Sequence, residues 1–282
     1  MRPEGAPGAH NCCATQSLES RASGGPVLKA PRRIGLKNRD DLAAASVMTC
    51  PHCEGAQKIF SDRTAKRDLR RFQKKGPAKT TQILFDLVPA DAWRGASVLD
   101  IGGGIGAIQH EAIRRGADRV TDVDASPAYL ALAKAEAARR GYSERATYRQ
   151  GDFVELAPTI PAADLVTLDR VVCCYPHADA LLTNAGKHAR RFVALVWPRD
   201  RWWTRLLAGI GNMFLRLTRN EFRAYIHPDA VVTDTLLRQG LSQRAARTAG
   251  YWQVRVYERA TVMRNSLAGS LAPTRRKIDE HA

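Results

Sequence analysis

The sequence predicts an α/β fold, a doubly wound parallel sheet covered by helices on both faces and finished by an antiparallel pair of strands. Three observations carry that expectation. Short apolar runs alternate with helical patterns through the middle of the chain. Residues 98–106, VLDIGGGIG, drive one such run directly into a glycine-dense turn that opens a helix. The last two runs, 243–248 and Trp252–Arg259, alternate in polarity around Ala249-Gly250-Tyr251 and read as a hairpin.

Taken in order, residues 1–47 are rich in Gly, Pro, Ala, Ser and Arg without periodicity, so burial cannot offset their ordering entropy and a disordered tail is expected. Ordinary domain composition begins at Met48, which reads as an alternative start, and holds to residue 264; residues 265–282 form a second expected tail. Residues 58–79 place Ala65, Leu69 and Phe72 at helical spacing among nine Lys and Arg residues and read as one basic amphipathic helix. The first strand is expected at Ser97–Ile101, followed by a helix over 107–115, and the second at Arg119–Asp124. Ser126-Pro127 opens the next helix, which Gly141 closes. Strands three to five are expected at Ala146–Gln150, 164–172 and 191–197. After them, Trp202, Trp203, Leu206, Leu207, Ile210, Met213, Phe214 and Leu217 recur at helical spacing, with Arg201, Arg205, Asn212, Arg216 and Arg219 on the other side.

The glycine turn is where the chemistry starts. Gly102, Gly104 and Gly106 remove side chains that would keep a ligand from the backbone amides, and the helix behind them points its positive end at the same place. GGGIGA also satisfies the dinucleotide pattern, so the glycines leave the ligand open. Asp100 decides it: a carboxylate at the end of the first strand repels a pyrophosphate but suits an ammonium or sulfonium, with about 4 kcal/mol of attraction at 4 Å and an effective dielectric of 20.

Over D-x-G-x-G-x-G, residues 100–106, the chain resembles the class I S-adenosylmethionine-dependent methyltransferases. The resemblance implies a Rossmann-like, seven-stranded methyltransferase sheet, with S-adenosylmethionine as cofactor. Asp124 ends the second strand about twenty residues beyond the first glycine, the distance expected of the acid that takes the ribose hydroxyls. Asp122, on the same strand face, is its alternative. Residues 148–153 resemble the family's third-strand motif, which implies that Asp152 accepts from the adenine amino group and that Phe153 lies near the ring.

Between the fourth strand and its helix stands DRVVCCYPH, residues 169–177, the position where the family's fold places residues beside the transferable methyl group. His177 is the expected base where the nucleophile arrives protonated, because imidazole titrates near neutrality. His227 is second to it, Tyr175 joins the same constellation, and Asp169 positions substrate or the loop. The Cys173-Cys174 pair permits a thiolate mechanism of the cytosine C5 kind, but no second motif supports it, and Tyr175-Pro176 lacks the Asn/Asp-Pro-Pro order of amino methyltransferases. Cys50-Pro51-His52-Cys53 offers three metal ligands without a second cysteine pair to close a zinc site, so no metal is expected.

Composition bounds the partners. Among 282 residues, 44 Lys and Arg face 28 Asp and Glu, a net charge of +16. Such a field attracts an anionic acceptor, an acidic membrane surface or nucleic acid. No apolar run reaches the roughly 18 residues of a membrane span, no signal peptide opens the chain, and the six cysteines show no secreted framework, which together predict a cytoplasmic protein. The stretch at about 199–226 resembles the lid of small-molecule methyltransferases, and its layout is loosely similar to the magnesium-protoporphyrin methyltransferases. It reads as a lid over a small-molecule acceptor, planar or anionic, as a helix in peripheral contact with an anionic membrane, or as a core helix. An RNA methyltransferase using the basic surface, and a cofactor-binding membrane-surface protein without catalysis, are the alternatives.

Overall fold

The computed structural model describes residues 51–260, with side chains from Gly55 onward; the expected tails, Met48 and the ligand set of Cys50-Pro51-His52-Cys53 lie outside what it describes. Three helices, α1 (Pro51–Ile59), α2 (Asp62–Lys75) and α3 (Lys79–Leu87), precede strand β1 (Ser97–Ile101). Then follow α4 (Ala107–Arg114), β2 (Arg119–Asp124), α5 (Pro127–Arg139), β3 (Ala146–Gln150), α6 (Phe153–Leu156), β4 (Ala163–Asp169), α7 (Ala178–His188) and β5 (Ala189–Pro198). The chain finishes with α8 (Trp202–Leu217), α9 (Asp229–Arg238), β6 (Leu241–Ala249) and β7 (Trp252–Arg259).

The strands form one seven-stranded sheet in the order β3-β2-β1-β4-β5-β7-β6. The first five are mutually parallel, while β7 runs antiparallel to both β5 and β6, as the alternating hairpin predicts. The chain reverses its direction of winding between β1 and β4, where open parallel sheets carry ligands at the carboxyl ends of the strands. Alternation along the strands splits the core in two. Leu99, Ile101, Val166, Leu168, Leu195 and Trp197 pack with α7 and α9 on one face, and Val98, Leu165, Ala194 and Val196 pack with Phe85 and Trp93 on the other.

Three expectations need correction. The basic helix expected over 58–79 is broken: Gly76 takes φ 73° with its N–H on the Phe72 carbonyl at 2.7 Å, Pro77 follows, and Lys79 opens α3 instead of ending α2. The fourth strand stops at Asp169 rather than residue 172, because Arg170 adopts φ 65° and residues 172–174 close a 3-10 turn. Helix α8 is not a core helix, for only Thr204 along it is buried. Strands β5 and β6 run one to two residues longer at each end than the apolar pattern alone indicates.

Candidate active site

A cavity of about 580 Å³ opens at the carboxyl ends of β1, β2 and β4, under α1 and α2. Each sequence-expected residue can be placed against it. Asp100, Gly102, Gly104, Asp124, Asp152, Phe153, Asp169, Tyr175 and His177 all line the cavity. Gly106 stands behind that lining, at the left-handed residue that opens α4, with its Cα hydrogens against the His110 ring. Asp122 and His227 are not among the lining residues.

The loop's geometry explains its glycines. A Cβ on Gly103 would lie 2.6 Å from Asp122 Oδ1 and 2.8 Å from Asp100 Oδ2, so the backbone can run across the two carboxylates only without a side chain. Gly104, at φ 59°, aims its N–H at Asp124 Oδ2 at 2.9 Å. The Ser126 N–H donates to Asp124 Oδ1 at 2.7 Å, and the two donors fix that carboxylate at the cavity wall.

Asp100 and Asp122 sit opposite one another on β1 and β2, both buried. The Thr167 hydroxyl donates to Asp100 Oδ1 at 2.7 Å, while Asp100 Oδ2 has no partner. Burial, offset by the Thr167 bond and reinforced by Asp169 and Asp124, pushes the Asp100 carboxyl up to about 8. Burial and the neighbouring Asp100 likewise push Asp122 well above the carboxylate range; Gln109 Nε2 donates to its Oδ2. An orphaned buried carboxylate oxygen facing a cavity is a site for a cation, and the ammonium or sulfonium of S-adenosylmethionine fits it. Asp124 stands at the cavity wall, whereas Asp122 lies off the lining and accepts from Gln109. Asp124→Ala is therefore expected to weaken S-adenosylhomocysteine binding by about 1.5–3 kcal/mol by calorimetry, with Asp122→Ala costing less; the reverse order would move the ribose contact to Asp122.

The post-β4 loop brings the remaining expected residues together. The Tyr175 hydroxyl donates to both oxygens of Asp152 at 2.8 Å, while Asp152 also caps α6 by accepting the Val154 N–H at 2.8 Å. Two residues expected in separate roles thus form one unit. Asp169 accepts from the Thr81 hydroxyl at 2.5 Å and pairs with Arg170 at 3.0 Å. His177 precedes α7 without a capping bond. His227 instead gives its Nε2 to the Tyr175 carbonyl at 2.9 Å, and burial depresses its pKa; it fastens the loop rather than facing the cavity. Cys173 donates to the Arg170 carbonyl, and the Cys174 sulfur together with burial pushes its thiol well above the ordinary range, which leaves it protonated.

Several cavity residues were not legible in the sequence. Tyr129, whose hydroxyl donates to Asp68 of α2 at 2.6 Å, carries no signal beyond its place three residues after the Ser126 cap. Phe60 and Phe222 meet edge to face at 6.0 Å and roof the cavity. Phe222 lies in the strap between α8 and α9, where a Cβ on Gly55 would come within 2.3 Å of its backbone nitrogen, so that α1 and the strap close together only at a glycine. The strap is anchored by Asn212, which donates to the Ala224 carbonyl and accepts its N–H, both at 2.8 Å, and by Tyr225 N–H on the Cys173 carbonyl. No residue of α8 itself lines the cavity among the described residues, so the part of the expected lid that reaches the cavity is the strap.

Comparison with known proteins agrees with this fold. Residues 98–192 match the family model described as a methyltransferase domain. No curated protein matches the chain in sequence. Among solved structures, the magnesium protoporphyrin IX methyltransferase of Synechocystis PCC 6803 with bound SAH is 20% identical, with a TM-score of 0.56 over 72% of this chain and 100% of that one. An O-methyltransferase family 2 protein from Planctomyces limnophilus, in complex with apigenin, is 16% identical, with a TM-score of 0.54 over 78% of this chain and 68% of that one. The fold, the strand order and the matched glycine-loop segment agree, and the chain carries a class I S-adenosylmethionine-dependent methyltransferase domain.

Proposed function

We propose that the domain methylates a small, planar acceptor that carries negative charge. The observation behind this reading is the polarity of the cavity. Its walls combine the carboxylates Asp100 and Asp124 and the rings of Phe60, Tyr129 and Phe72 around the glycine loop with the cations Arg71 and Arg170. One structural neighbour is named for a protoporphyrin and another is in complex with apigenin, both flat ring systems. S-adenosylmethionine supplies a methyl group already activated on a sulfonium. The residues of this chain then have to hold the acceptor in line, which is worth up to about 7–11 kcal/mol in favourable cases.

In this reading Asp100 holds the amino-acid end of the cofactor, Asp124 its ribose, and Asp152, fixed by Tyr175, its adenine amino group beside Phe153. Asp169 orients the acceptor from a position locked by Thr81 and Arg170. His177, whose ring makes no hydrogen bond among the described residues, takes the proton of an acceptor that arrives protonated. Calorimetry with S-adenosylhomocysteine and NAD tests the cofactor half: binding of the first and not the second is expected, and preferential NAD binding would overturn it.

The outward face of α8 extends the proposal to where the acceptor is met. Trp202, Leu206, Leu207, Ile210, Met213, Phe214 and Leu217 are all exposed. At 100° per residue they fill one continuous arc, roughly opposite the side that packs through Thr204 and Asn212. Arg216 flanks that arc, Arg205 beside it is paired with Asp200 at 2.6 Å, and the chain's charge of +16 complements an anionic bilayer. No helix among the described residues is long and apolar enough to cross a membrane, so the contact is one made in the plane of the surface.

A further inference from the structure

A second concavity, of about 480 Å³, adjoins the main cavity and shares Arg71, Ala78, Arg170 and Trp252 with it. Its other walls are Lys79 and Thr80 at the start of α3 and the β6–β7 turn at Ala249-Gly250. No carboxylate is among its lining residues. Neither Arg71 nor Lys79 has an ion-pair partner among the described residues, and neither is buried. Arg170 commits Nε and Nη2 to Asp169, which leaves Nη1 without a hydrogen bond among those residues. The Thr80 hydroxyl, on a residue 7% exposed overall, makes no hydrogen bond among them and is open to solvent at the groove.

We propose that this groove is the subsite for an anionic group of the acceptor, a carboxylate or phosphate ester, whose ring system reaches through the shared wall into the main cavity. The proposal rests on the methyltransferase reading and adds where, and by which residues, the acceptor's charge is recognised. Two observations beyond the bare charges support it. The Thr80 hydroxyl stands in the groove wall without a protein partner and is a donor open to such a group. Arg170 also holds a left-handed backbone, φ 65°, uncommon for a residue with a Cβ. Its N–H is fixed on the Val196 carbonyl at 2.9 Å, and this turn is what places its side chain on the boundary between the two concavities. Local strain of this kind, of order 1–3 kcal/mol, persists where the surroundings over-determine it and concentrates at ligand sites. Trp252 adds an indole beside the cations, suited to the apolar part of the same molecule.

The test compares pyrenebutyrate with pyrenebutanol, a planar probe with and without the charge, by fluorescence titration of the full chain saturated with S-adenosylhomocysteine. Pyrenebutyrate is expected to bind at least fivefold more tightly. That preference should vanish in Lys79→Glu combined with Thr80→Val, while calorimetry shows S-adenosylhomocysteine affinity within twofold of the parent. The single exposed change Lys79→Gln, which removes no buried contact, should reduce the preference in the same direction and covers the case in which the double variant unfolds. Equal affinity for the two probes in the parent, or a preference that survives both variants, would overturn the subsite. Failure of the parent to bind S-adenosylhomocysteine at all would instead strike the cofactor reading, and the groove would then be judged on the two probes without it.

Discussion

Asp100→Asn is expected to lower S-adenosylhomocysteine affinity by about 3–5 kcal/mol, the cost of leaving one member of a desolvated charge pair alone, and at the same time to stabilise the ligand-free protein. Both effects come from one oxygen. Asp100 is 1% exposed and its Oδ2 has no partner, so the ionised carboxylate is costly until a cation arrives. In the unfolded chain this carboxyl titrates near 3.8, whereas in the fold it keeps its proton to about 8. Between those values the folded protein binds the additional proton, so its stability falls as pH rises from about 4 to about 8. Asp122, raised in the same direction by burial and by Asp100 itself, steepens that fall. Asparagine is neutral throughout and still accepts from Thr167, so the variant should lose less stability over the same interval. Binding of an ammonium favours the ionised form of Asp100, so affinity for S-adenosylhomocysteine in the parent should rise between pH 6 and 8. Thermal unfolding and calorimetry at pH 5, 6.5 and 8 read all three effects. An Asn variant that binds as tightly as the parent would remove Asp100 from the site.

The geometry of the glycine loop was legible because its signals are local. Asp100, Gly102 and Gly104 sit within five residues, and a strand running into a glycine turn admits few arrangements, which the register of β1 against β2 bears out. Gly103 carries no local signal, because its constraint comes from Asp122, nineteen positions on and across the sheet. The rest of the cavity is assembled over longer distances. Tyr175 meets Asp152, Thr81 meets Asp169, and Gly55 meets Phe222, and no periodicity encodes such pairs. The break between α2 and α3 was written in Gly76-Pro77, yet a shared run of basic residues across it gave the appearance of one helix. Periodicity also could not separate the three readings of α8, since an apolar stripe is the same pattern whether it faces a core, a cavity or a bilayer.

Exposure separates them, and it sets the second large effect: Leu206→Ser, Ile210→Ser and Phe214→Ser together should abolish binding to vesicles of phosphatidylglycerol and phosphatidylcholine. These three side chains are 54%, 51% and 64% exposed, so their loss removes outward apolar surface without opening a cavity inside the protein. Burying a large apolar side chain fully is worth about 1.5–3 kcal/mol, and with each already half-covered the three changes should still lower the partition constant more than tenfold. Trp203 is the wrong residue for this purpose, being half-buried with its ring 6.0 Å from Tyr251 at the β6–β7 turn, where its removal would disturb the fold. Attraction to the lipid should weaken as salt rises, because Arg216 and the chain's net positive charge act across solvent within a Debye length of about 10 Å at 0.1 M. Affinity for S-adenosylhomocysteine should stay at the parent's value, since no α8 residue lines the cavity among those described. Vesicle sedimentation and light scattering decide between occupants. If the parent ignores vesicles but is a dimer that the triple variant converts to a monomer, the face belongs to a second copy of the chain and the membrane contact is excluded. If the parent sediments with anionic vesicles and the variant does not, the acceptor is to be sought among molecules that partition into that surface.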